Sequence, residues 1–106
     1  MGYVYLIEDE YNQVYKIGVT RKNDKKRLQK LQTGNANPLK LRYIFKTNWP
    51  FRLESMLHMK YKQYRVLNEW YELPEEVVNK FDEICLTQND IIYSLKDNPF
   101  FAKNLK

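Results

Sequence analysis

Two short runs, Tyr3-Val4-Tyr5-Leu6-Ile7 and Val14-Tyr15-Lys16-Ile17, are rich in aromatic and β-branched residues and are separated by the polar stretch Glu8-Asp9-Glu10-Tyr11-Asn12-Gln13. That pattern predicts a β-hairpin. With the turn centred near Glu10-Tyr11, Tyr5 is expected opposite Lys16, and alternation puts both on the face of Tyr3 and Gly18, with Val4, Leu6, Tyr15 and Ile17 forming the core face. A phenol and an ammonium beside a strand glycine make an unusual polar face, because such glycines often mark the close approach of a ligand or of another backbone. The plain alternative is an ordinary cross-strand Tyr–Lys pair.

Asn23 or Asp24 can cap a helix running to about Gln32, with Leu28 and Leu31 facing the core and Gly34 in a capping role. A small polar loop, Gln32 to Pro38, then leads to a third strand read from the alternation of Leu39, Leu41, Tyr43 and Phe45. Asn48-Trp49-Pro50 opens a helix whose apolar stripe is Leu53, Leu57, Tyr61 and Tyr64. Beside the stripe lie Glu54, His58, Tyr61 and Arg65, so the carboxylate and the only histidine stand one turn apart. Asn68 to Leu73 reads as a terminal extended segment closed by Pro74. Pro74-Glu75-Glu76 starts a helix with Val77, Val78, Phe81, Ile84 and Cys85 turned inward, and Thr87 with Asp90 is expected to open another through about Lys96. The fold class is therefore α+β, a small three-stranded, mainly antiparallel sheet flanked by helices. Within one domain spanning 1–106, the chemistry-bearing core covers about 1–73 and a helical extension about 74–106.

Composition adds little to this picture except through charge. With 43% hydrophobic and 29% charged residues the chain is ordinary for a globular domain. Its apolar runs are too short to span a bilayer and its first residues do not form a secretory signal, so a cytoplasmic location is expected. Cys85 is single, which leaves neither a disulfide framework nor a cysteine zinc site within the chain. The net charge of +5 is unevenly spread. Arg21 to Lys30 holds six basic residues against one acid, whereas Glu69 to Glu83 holds six acids against Lys80. A concentrated basic segment suits a polyanion, since neutralised phosphates release counterions; the plain alternative is a solvated helix face.

In order and spacing, Tyr3-Val4-Tyr5, Lys16-Ile17-Gly18, Arg27 and Glu54 resemble the GIY-YIG nuclease superfamily. Val14 to Thr20, Leu31-Gln32-Thr33-Gly34-Asn35, Glu54 with Leu57-His58, and Glu69-Trp70-Tyr71 are similar to a branch found in phages and mobile elements, with lysine where the name-giving motif has tyrosine. The resemblance implies a metal-dependent DNA endonuclease, with RNA as an alternative substrate. Tyr5 would act as general base or orient the attacking water, and Lys16 would stabilise a phenolate whose ordinary pKa is ~10. Arg27 would hold the scissile phosphate, and Glu54 would bind Mg²⁺ or Mn²⁺. The nucleic acid would be gripped by Arg21, Lys22, Lys25, Lys26, Lys30, Thr33 and Asn35.

Two positions, Leu31 and Arg65, depart from the wider pattern. Leu31 stands where many relatives have histidine or tyrosine, so His58 is expected to donate the proton or touch phosphate. Arg65 replaces an asparagine, and Glu69 would brace the site or pair with Lys16 or Arg27. Two other readings stand beside the enzyme: a nucleic-acid-binding module of the same fold without catalysis, and a protein-interaction scaffold built on the acidic helices and the aromatic tail at Asn98 to Phe101. Recognition of DNA shape or backbone more than of bases, or dependence on a homodimer or a protein partner, is expected, and a single site would nick one strand at a time.

Overall fold

A computed structural model of the chain describes residues 1–21, 29 and 38–97. The expected first helix and the loop after it, carrying Lys22, Lys25, Lys26, Arg27, Lys30, Thr33 and Asn35, lie outside the described residues, as does the aromatic tail. The class is α+β, as expected. Strands β1 (Gly2–Asp9), β2 (Val14–Thr20) and β3 (Leu39–Thr47) are joined by β4 (Arg65–Leu67) and β5 (Trp70–Tyr71) in one antiparallel sheet of order β3-β1-β2-β5-β4. The helices are α1 (Pro50–Lys60), α2 (Glu75–Asn79) and α3 (Phe81–Leu95).

The two strands beyond the expected three form a tight hairpin. Its turn places Asn68 at φ 53°, a left-handed conformation that asparagine tolerates better than most residues. In the first hairpin the register is Tyr5 opposite Gly18 and Ile7 opposite Lys16, not Tyr5 opposite Lys16. The buried Asp9 side chain sets this register by accepting hydrogen bonds from the Asn12 backbone N–H at 3.1 Å and the Asn12 side-chain amide at 2.9 Å. Gln13 closes the loop at φ 56°. The slip amounts to two residues, so every side chain keeps its expected face.

Strand β3 departs from simple alternation. A bulge pairs Leu6 with Tyr43 but Ile7 with Leu41, which sends Leu41 to the opposite face from Tyr43 and Phe45. The extra residue is Arg42, whose guanidinium donates to Glu8 at 2.7 Å. A second correction concerns the C-terminal helices, which break at Lys80 instead of Thr87. Thr87 is interior to α3, where its hydroxyl donates back to the Glu83 carbonyl at 3.0 Å.

The core lies on one face of the sheet, where Val4, Leu6 and Ile17 meet Leu53, Leu57 and Tyr61 of the α1 segment and Val78, Phe81, Cys85 and Ile92 of α2 and α3. Tyr43 stacks on Phe81 at 6.1 Å. Thr47 ties the layers together, accepting from the Trp49 N–H at 3.0 Å and donating to Asn89 on α3 at 2.5 Å. Burial pushes the Cys85 thiol from 9.0 and the Tyr61 phenol from 10.0 up to about 12. In the unfolded chain both groups ionise at their ordinary values. Their contribution to stability is therefore complete below pH 9 and is lost as the pH climbs towards 12. Urea midpoints are expected to fall steeply above pH 9, with a shallower fall in Tyr61→Phe.

Candidate active site

Gly18 is the point on which the site converges. A Cβ there would fall 2.9 Å from Cε1 of Tyr5 and nearer still to its Cζ and Oη, so the phenol lies directly across the glycine. No glycine in the described chain has a positive φ, which means that this position needs a missing side chain and not an unusual backbone. Tyr5 is only 2% exposed, and its hydroxyl has no hydrogen-bond partner among the described residues. An orphaned buried hydroxyl is costly and calls for an explanation.

Lys16 shares this face, two residues from Gly18, and is thus the diagonal neighbour of Tyr5. Its ammonium pairs with Glu69 at 3.3 Å, one of the two partners expected for that carboxylate. The short β4–β5 turn delivers Glu69, since Trp70 pairs with Lys16 and the Ile17 N–H donates to the Glu69 carbonyl at 3.4 Å. With Glu69 about half exposed, Glu69→Gln is expected to cost no more than ~1 kcal/mol in thermal or urea unfolding.

Helix α1 supplies the other two groups. Its Pro50 packs near Gly2 and the end of β2, because a Cβ on Gly2 would lie 3.1 Å from Pro50 Cγ and 3.0 Å from the Thr20 carbonyl. Two turns later the His58 Nε2 reaches the Ile17 carbonyl at 3.0 Å. The helix therefore runs antiparallel along β2. Glu54 lies midway along the helix between Pro50 and His58. A carbonyl only accepts, so His58 donates through Nε2–H and leaves Nδ1 as its second nitrogen. This bond occupies the stretch of β2 beyond the end of β5, and the imidazole also lies 5.6 Å from the Tyr71 ring.

Tyr5 and Lys16 thus share one face of the sheet, whereas Glu54 and His58 belong to α1, which packs on the opposite, core face. His58 reaches the β2 backbone at the Ile17 carbonyl, and Arg21 is exposed at the end of the strand. Arg27 and the other basic candidates lie outside the described residues. Arg65 opens β4 and lines a hollow of about 470 Å³ with His58, Ser55 and Lys62, a lysine that the sequence pattern did not single out. A larger cleft, about 720 Å³, lies near the first hairpin turn. Glu8, Glu10, Glu72 and Glu75 line it, a potential of the wrong sign for a polyanion. No helix among the described residues is long and apolar enough to cross a membrane.

Neither the curated proteins nor the solved structures contain a match to this chain. A family model does match, over residues 2–85, and so takes in every group described above. The chain belongs to the T5orf172 domain family, which is associated with nuclease-like, GIY-YIG-related proteins of phages and bacteria.

Proposed function

We propose that this protein is a metal-dependent DNA endonuclease of the GIY-YIG type. The observation that carries the reading is the Tyr5 hydroxyl, which is buried, has no partner among the described residues and is laid across Gly18 beside Lys16. A phenol kept in that state at an energetic cost is explained if its partner is the attacking water. Tyr5 then orients that water or takes its proton as general base, and Lys16 stands on the same sheet face with its ammonium paired to Glu69. His58, fixed by its bond to Ile17, presents Nδ1 and, when protonated, donates to the leaving oxygen. Arg27 has the role of holding the scissile phosphate.

Glu54 is the residue that would hold Mg²⁺ or Mn²⁺. The donor it offers is one hard carboxylate, and no group of three or more His, Cys, Asp or Glu side chains gathers among the described residues to offer a full protein cage. That set fits a cation which keeps most of its water and completes its shell with phosphate oxygens. Such an ion would polarise the phosphoryl group and offset charge developing on its oxygens.

The test is nicking of supercoiled plasmid with Mg²⁺ or Mn²⁺, comparing wild type and Glu54→Ala at matched purity. Metal-dependent nicking that disappears in the variant is expected. DNA binding without cleavage in both proteins would point to a binding module of the same fold, and equal cleavage in both would point to a contaminant.

A further inference from the structure

We infer that the outer face of α1 is a track for a single, unpaired strand, with Phe51 as the platform on which a base stacks and with Lys62 and Arg65 holding the phosphates beyond His58. The inference rests on the nuclease reading for its orientation around Glu54 but draws on residues that the reading does not use. Phe51, Glu54, Ser55 and His58 follow one another at spacings of three, one and three residues, so they share one face of α1. At the first turn Phe51 is 49% exposed, a large aromatic ring left in water instead of being packed into the core beneath. It borders a hollow shared with Val19, Thr20, Arg21 and Pro50, which gives an apolar wall with a guanidinium beside it. At the other end, about 10 Å along the axis from Phe51, His58 borders the hollow lined by Lys62 and Arg65. Both cations are exposed, and neither is ion-paired with a carboxylate among the described residues.

A base has a π-face whatever its sequence, so an exposed aromatic flanked by cations grips a single strand without reading it. A duplex keeps its bases stacked on one another and offers Phe51 no free π-face, whereas its phosphates remain available to Lys62 and Arg65. The arrangement therefore favours substrates with an unpaired stretch beside the scissile bond, such as single strands, flaps and splayed ends.

The experiment is fluorescence anisotropy with a fluorescein-labelled oligothymidylate and with a labelled hairpin duplex, in a chelating buffer so that cleavage plays no part. Wild type is expected to bind the single strand more tightly. Phe51→Ala should weaken that binding at least ~5-fold and leave the duplex unaffected, while Phe51→Trp retains it. Lys62→Gln and Arg65→Gln should each flatten the salt dependence on the single strand by about 0.7 in log–log slope. Unchanged single-strand affinity in Phe51→Ala, equal losses on both probes, or unchanged salt slopes in the lysine and arginine variants would overturn the track. Because these readings need no catalysis, a protein that binds as expected but never nicks DNA would sink the nuclease reading alone. Active nicking with no preference for the single strand would sink the track alone.

Discussion

Tyr5→Phe is expected to cleave at no more than ~1% of the wild-type rate and yet to be at least as stable. The two halves of that result have one cause. The Tyr5 hydroxyl is buried without a partner among the described residues, and leaving a buried hydroxyl unsatisfied costs roughly 1–3 kcal/mol. Phenylalanine keeps the ring over Gly18 and removes only the orphaned oxygen, so thermal unfolding should shift upward or stay in place. If that oxygen positions water and takes its proton, its removal costs about 10²–10⁴-fold in rate, the usual range for a positioned acid or base. Plasmid nicking and thermal melting on the same preparations check both halves. A variant that cuts normally would remove Tyr5 from the chemistry, and one that is clearly destabilised would show that the hydroxyl is satisfied in the native protein.

Gly18→Ala should damage both stability and cleavage. A methyl group placed there would overlap the Tyr5 ring at Cε1, Cζ and Oη, and a ring in a strand interior cannot step aside without disturbing its neighbours. Overpacking of this kind typically costs about 1–3 kcal/mol. The displaced phenol would also lose its aim, so cleavage should fall by more than the loss of folded protein explains. A double-mutant cycle separates collision from any backbone effect. In a Tyr5→Ala background the alanine at position 18 has room and the backbone there is ordinary, so its cost should shrink to near zero. Tyr5→Phe should give no such relief, because Cε1 and Cζ remain. Urea unfolding of the four proteins gives the answer, and additive costs would mean that the glycine is needed for some reason other than the ring.

Much of the site was legible because strand alternation is indifferent to a slip of two residues. Tyr5, Lys16 and Gly18 were expected on one face and stand there, although the opposing partner of Tyr5 is Gly18. The faces follow from local geometry alone, whereas the register depended on Asp9 binding Asn12 across the turn, a polar contact that hydrophobic patterning does not carry. The same limit explains β3. Its Leu39, Leu41, Tyr43, Phe45 pattern looked regular, but an ion pair from Arg42 to Glu8, distant in sequence, accompanies the bulge that divides it between two faces.

Helix α1 shows the converse. Trp49-Pro50 and the spacing of Leu53 and Leu57 determined where the helix starts and which side is buried, since both are properties of a few consecutive residues. The spacing of Glu54 and His58 likewise determined that they are neighbours. Only the tertiary structure decided what the pair packs against: α1 had to be laid antiparallel on β2 before His58 could meet the Ile17 carbonyl. The Lys16–Glu69 pair was one of several pairings the charges allowed, and the β4–β5 turn selected it. Periodicity in a chain thus fixes which side chains share a face, because backbone geometry repeats every two or 3.6 residues. Which faces come together is decided by packing and by polar contacts between residues far apart in sequence, and it is there that the candidate active site arises.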